Sequence, residues 1–164
     1  MTDNVIVTWH DSYSVGIKVI DEQHMALIKL TNKLFASCMS GHERSQADSI
    51  FLQVINEVVD YVGYHFSTEE RIMEKINYPE YKAHKKEHVS FVKEVLIKVE
   101  EFNFGRNNTA LTFVYYLRDW ILQHIAVNDK KLGSYILEKK RSGELRQIVL
   151  KVKKDENTNK MVIE

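Results

Sequence analysis

Residues 64–88 read YHFSTEERIMEKINYPEYKAHKKEH, and two spacings within them decide the fold. His65 and Glu69 lie four apart, and so do His84 and His88. Residues four apart on a helix point the same way, so each pair offers two metal-type donors from one helical face. Pro79 separates the pairs, and proline suits the first turn of a helix. The stretch is therefore the end of one helix and the start of the next, with donors near both ends.

Working outward, the apolar period draws four helices. The first runs roughly from Asp21 to Met39 and carries His24, Leu27, Ile28, Thr31, Leu34, Phe35 and Cys38 on one stripe, with Gly41 as its stop signal. The second covers about Gln46 to Ile76, its stripe passing through Phe51, Val54, Val58, Val62, His65, Glu69, Ile72 and Met73. The third opens at Pro79, presents Tyr81, His84, His88, Phe91, Val95 and Phe102 inward, and ends at Gly105 and the GRNNT stretch. The fourth starts near Thr109 and shows Phe113, Val114, Leu117, Trp120, Ile121 and His124, then Asp129, Leu132 and Ile136.

Short connections make such helices an antiparallel, up-down-up-down four-helix bundle, an all-α fold. His24 stands near the start of the first helix, and His65 and Glu69 near the end of the second. His84 and His88 lie near the start of the third, and His124 and Asp129 in the second half of the fourth. In an antiparallel bundle those four places share one end, so the seven residues meet at one level of the core. One step is irregular. His124 and Asp129 are five apart, which on a regular helix turns them about 140° away from each other. An extra π-type residue restores a common direction, and such bulges favour functional sites. The spacing therefore predicts a helix defect around residues 125–128.

Taken singly, a His on an apolar stripe is more often a hydrogen-bonded core residue than a ligand. HxxxE is usually a surface pair, and HKKEH a solvated face. Joint occurrence overturns those readings: five of the seven histidines fall on inner faces at one end, each carboxylate at a fixed offset from one of them. His10 and His42 stay outside the pattern and are expected to be exposed. Five imidazoles with two carboxylates suit Fe, Zn, Cu or Mn. No thiolate joins them, which argues against Fe–S and structural zinc. The carboxylates, with two oxygens each, are natural bridges between two ions, and an open coordination position can bind a small ligand.

The bulk properties agree. At 164 residues the chain is long enough for one well-buried core. Lys and Arg balance Asp and Glu at 23 each, so no net field recruits nucleic acid or an anionic membrane. No apolar run reaches the ~18 residues of a membrane span, and the first residues lack the pattern of a signal peptide. One cysteine, Cys38, excludes an internal disulfide and suits a reducing compartment; the expected setting is cytoplasmic. One proline and six glycines in the whole chain favour long helices.

Residues 5–19, with Trp9, Tyr13, Val15 and Ile17, read as an arm lying against the bundle. The expected division is a bundle over 1–137, including an N-terminal arm over 1–20, and a charged extension over 138–164. That extension holds eight basic against five acidic residues. Leu145, Ile148, Val149 and Val152 fit a helix there, whereas IVLKV, DENTN and KMVIE fit a small hairpin.

The strings SVGIKVIDEQH (14–24), YHFSTEERIMEKINYPEYKAHKKEH (64–88) and HIAVNDKKL (124–132) resemble the hemerythrins, in particular bacterial single-domain hemerythrins. The resemblance covers roughly 9–137. It implies a non-haem centre of two Fe ions with a bridging oxo or hydroxo group that binds O2 reversibly. By that resemblance His84, His88 and His124 hold one iron, His24 and His65 hold the other and keep its open position, and Glu69 and Asp129 bridge. O2 then takes two electrons and the bridging proton, so no distal acid is needed. The inner face near the site, with Leu27, Ile28, Val62, Phe66, Trp120 and Ile121, supplies none. The expected role is O2 storage, delivery or scavenging rather than catalysis. Two other roles stay open: an O2 or redox sensor acting through the extension, which also offers a surface for an oligomer or partner protein, and a di-iron oxidase or peroxidase.

Overall fold

In the computed structural model the described residues are 5–39, 44–103, 109–145, 152–154 and 161–163. The expected stop signals Gly41 and Gly105, and His42, lie outside them. Four long rods form the architecture: α1 (Lys18–Met39), α2 (Arg44–Lys75), α3 (Tyr81–Asn103), and a fourth made of α4 (Thr109–His124), a π turn (Ile125–Asp129) and α5 (Lys130–Arg141). α1 and α3 each pack against both α2 and α4. The result is the antiparallel four-helix bundle that the apolar stripes specify. Among the described residues no helix is long and apolar enough to cross a membrane.

The turn between α2 and α3 shows why the chain reverses where it does. Asn77 takes a left-handed φ of 51°. Its N–H donates to Glu74 O, and the Tyr78 N–H donates to Met73 O. This is a Schellman closure, which satisfies carbonyls at the helix end. Its usual apolar contact is present too, because Met73 and Tyr78 share one buried cluster. Pro79 follows in the turn and α3 begins two residues later, at Tyr81. The helix thus starts two residues after the expected Pro79, since Pro79 lies in a turn closed by the Tyr81 N–H donating to Tyr78 O.

Two apolar clusters fill the bundle. The larger contains Leu27, Leu34, Phe51, Val62, Phe66, Phe91, Leu117, Ile121 and Ile125. The smaller contains Val15, Ile17, Ile20, Ile72, Met73, Ile76, Tyr78, Leu132 and Ile136. Three rods cross from one to the other in a few residues: Leu27 to Ile20, Phe66 to Ile72, and Ile125 to Leu132. Those crossings fall at His24, Glu69 and Asp129, so a polar layer is sandwiched between two dry ones.

The arm belongs to the bundle. Val7, Val15 and Ile17 are buried. Asn32 fixes the arm by accepting from the N–H groups of Ile6 and Val7 and donating to Val7 O. Asp21 accepts from the Ser14 hydroxyl and the Val15 N–H, joining the arm to the first turn of α1. The arm crosses the fourth rod at Gly133, where an added Cβ would stand 2.3 Å from Val15 O. His10 is exposed, as its place outside the donor pattern suggested. In the extension, β1 (Val152–Lys154) pairs antiparallel with β2 (Met161–Ile163), Val152 opposite Ile163. This pairing joins Val152, the last residue of the IVLKV string, to the KMVIE string; Ile148, Val149 and the DENTN string lie outside the described residues.

Candidate metal centre

All seven donors converge in the layer between the two apolar clusters, and each is at most 5% exposed. Periodicity puts them there. His24 follows the buried stripe of α1, while His65 with Glu69 and His84 with His88 use the four-residue step of α2 and α3. The π turn Ile125–Asp129 settles the remaining pair. It widens the helix by one residue, with Ala126 and Val127 exposed, and brings Asp129 and His124 to the same interior point. Their facing atoms, His124 Nε2 and Asp129 Oδ1, are 3.1 Å apart.

The donors form two groups with shared carboxylates. Nε2 of His124 lies 3.0 Å from Nε2 of His84 and 3.1 Å from that of His88, so three rings aim at one point. His24 and His65 form the other group, their rings edge to face at 4.9 Å. Asp129 stands between the groups: Oδ1 is 3.1 Å from His84 Nε2, and Oδ2 is 3.0 Å from His24 Nε2. Glu69 Oε2 is 3.3 Å from His88 and 3.7 Å from His65. Donor atoms of Glu69, His84, His88 and His124 fall within 4.8 Å of one another, as do those of His24, His65, Glu69 and Asp129.

The electrostatics are those of a site built around positive charge. Glu69 Oε1 and Oε2, Asp129 Oδ1 and His24 Nδ1 are buried with no hydrogen bond among the described residues. A bare buried polar atom costs of order 1–3 kcal/mol and a bare charge far more. Burial, then repulsion from Asp129, pushes the Glu69 carboxyl up to about 8. Burial opposes a charge on His84, but Asp129 and Glu69 outweigh it and raise the imidazole to about 9. Asp129 is held well below the carboxylate range because His124, His24 and His84 outweigh its burial. Burial and the neighbouring His124 depress His88 to about 2. Without metal the layer therefore shares a few protons among too many lone pairs. Divalent cations would displace those protons and satisfy the orphaned oxygens together.

Partners outside the seven set the ring orientations, and sequence reasoning missed them. His65 Nδ1–H donates to Gln23 Oε1, Gln23 Nε2 donates to Thr68 Oγ1, and Thr68 donates to Tyr64 O. His88 Nδ1–H donates to Glu70 Oε1 at 3.2 Å. His124 Nδ1 lies 3.1 Å from the Asn128 amide nitrogen, and which end of that amide faces the ring follows from which ring nitrogen carries the proton. A proton held on Nδ1 leaves Nε2 as a free lone pair facing the layer. Gln23 and Thr68 did leave a signal: each is a hydrogen-bonding residue directly before a donor, Gln23 before His24 and Thr68 before Glu69. Phe66 lies flat on His88 at 3.8 Å and 5°, and Trp120 on His124 at 4.4 Å and 14°, closing the layer on its larger-core side.

Residues 15–136 match the family model described as the hemerythrin HHE cation binding domain. The chain belongs to the hemerythrin family. A bacteriohemerythrin of Stenotrophomonas maltophilia is 34% identical over 131 residues, covering 80% of this chain and 82% of that protein. One from Clostridium acetobutylicum is 29% identical, covering 75% and 95%. A crystal structure of wild-type hemerythrin superposes with a TM-score of 0.71 at 27% identity, covering 79% of this chain and 97% of that one. A hemerythrin four-helix bundle with a buried His, Glu and Asp cluster able to bind metal thus accounts for both the fold and the polar layer.

Proposed function

We propose that this hemerythrin-family chain binds O2 reversibly at a non-haem di-iron centre, as a cytoplasmic carrier, store or scavenger of oxygen. The observation that carries the reading is the two-group donor set with carboxylates shared between the groups. His84, His88 and His124 would hold one iron, His24 and His65 the other, and Glu69 and Asp129 would bridge, beside an oxo or hydroxo group. When bound, the iron pair supplies electrons and a coordination position for O2.

The chain's own residues do the rest. Two imidazoles against three leave the His24 and His65 side short of one protein ligand, the kind of vacancy a small molecule fills. Leu27, Val62, Phe66, Trp120 and Ile121 line the larger-core side with apolar surface. They exclude water and offer no acid or base, and limiting protons favours release of O2 over its reduction. This supports carriage over catalysis. The single thiol, Cys38, suits a reducing compartment.

A second reading, sensing, draws support from continuity. α5 runs directly from Asp129 toward the extension, and Leu145 packs on the smaller cluster. A change at Asp129 would be felt there.

Anaerobic titration with Fe(II), then exposure to oxygen and to argon, tests the proposal. The expected result is two irons per chain and a charge-transfer band that appears and disappears over many cycles. One iron per chain, or two irons with an unchanged oxygen spectrum in Glu69→Ala, overturns the bridged centre. Turnover of a reductant faster than decay of the oxygenated band favours an oxidase. A sensor requires a partner whose affinity differs between the two gas states, and that difference should vanish when residues 142–164 are removed.

A further inference from the structure

The two histidine groups have different supports. On the two-histidine side, His65 leans on Gln23, Thr68 and the Tyr64 carbonyl, a neutral chain closed within the core, and His24 Nδ1 has no hydrogen bond among the described residues. On the three-histidine side, His88 donates to a carboxylate. Glu70 Oε1 accepts from His88 Nδ1 at 3.2 Å, and Glu70 Oε2 accepts from Lys85 Nζ at 2.8 Å. The Glu70 side chain is 22% exposed and that of Lys85 46%, so this chain of contacts runs from the buried layer to the surface. Phe66, flat against the ring, fixes the plane in which His88 can turn.

A carboxylate behind an imidazole makes it a more basic ligand than an amide does, and loss of such a partner typically costs 10- to 100-fold in metal affinity. We propose that Glu70 is a positioning residue that makes the two halves of the centre unequal, so that the ion at His84, His88 and His124 is firmly held and the ion at His24 and His65 exchanges. Lys85 moderates the effect by drawing charge from the Glu70 carboxylate. This rests on the di-iron reading, and its consequence is an order of assembly. The three-histidine side fills first and empties last, and the side facing O2 is the one that can be reloaded without unfolding the bundle.

The test follows iron leaving the loaded, full-length protein into an anaerobic ferrous chelator. Wild type should release two irons in separated phases. Glu70→Gln keeps an acceptor in place but removes the charge, and should speed the slow phase about 10-fold or more while leaving the fast phase alone. Gln23→Ala should act on the fast phase. Lys85→Met should slow the slow phase further, a direction that damage to α3 would not produce. Helical circular dichroism of the Glu70→Gln protein guards against misfolding, since the substitution is isosteric. A slow phase at the wild-type rate in Glu70→Gln, equal acceleration of both phases, or faster release from Lys85→Met overturns the assignment. A wild-type protein holding fewer than two irons instead overturns the di-iron reading itself.

Discussion

At the scale of single residues, a side chain's chemistry here is set by what surrounds it. Cys38 illustrates this away from the metal layer. Burial raises its thiol from the ordinary 9.0 to about 11, and Ser37 only partly offsets the rise. Reaction with a soluble alkylating reagent should therefore be slow at pH 8 and accelerate only as pH approaches 11; a rate at pH 8 equal to that of the unfolded chain would refute the burial. The linkage has a definite sign. The folded protein keeps this proton between pH 9 and 11 while the unfolded chain loses it, so the contribution of Cys38 to stability is intact below pH 9 and declines above it. The seven donors were legible in the sequence because each declares itself twice, by chemistry and by its place on an apolar stripe. Their partners were not. Glu70 reads as one more charge in the string TEERIMEK, and only the packing of α3 against α2 brings it to His88.

Among elements, the fourth rod is the informative one. The five-residue step from His124 to Asp129 conflicts with the α-helical period, and that arithmetic alone places the defect where the π turn stands. The bulge falls where two exposed residues, Ala126 and Val127, carry the excess. Excising Val127 should return the segment to a plain α-helix with the two donors four apart, and metal stoichiometry should survive. Inserting an alanine between Ala126 and Val127 should instead rotate Asp129, Leu132 and Ile136 by about 100° out of the core. Iron content after purification distinguishes the two, and equal loss in both would refute the role assigned to the bulge. The same rod carries Gly133. Alanine there ought to favour the helix by up to about 1 kcal/mol, but its Cβ would meet Val15 O at 2.3 Å. The expected outcome is a net loss of about 1–3 kcal/mol in a denaturant titration, with the arm displaced. The extension was ambiguous for an equally physical reason. Strings of five apolar and basic residues fit a strand or a helical turn equally well, and only pairing between distant segments decides.

Seen as a whole molecule, the bundle is two apolar cores joined by a buried polar layer, and the layer is where its stability is conditional. The larger core unites α1, α2, α3 and α4 through aromatic contacts such as Phe91 on Trp120 at 3.8 Å. The smaller one joins the arm, the start of α1, the end of α2 and α5. Between them, without metal, lie carboxylate oxygens of Glu69 and Asp129 that no hydrogen bond satisfies among the described residues. Metal that binds the folded state alone stabilises it by RT ln(1 + [L]/Kd), about 4 kcal/mol at a thousandfold excess over Kd. Removing it exposes that cost where it arises. The strain is relieved most cheaply by opening the end of the bundle with the smaller core, because the arm and α5 can part from it while the larger core stays closed. Hydrogen exchange on the chelator-treated protein should therefore show early loss of protection at Ile20, Ile72–Ile76 and Leu132–Ile136, with amides around Val54–Val62 and Phe113–Leu117 still protected. Uniform loss across both cores would mean that the metal layer stabilises the bundle as one unit. Protection unchanged at both ends would mean that the orphaned oxygens find water without opening the fold. The partial opening expected here would also give iron its route in, through the end of the bundle that the arm covers.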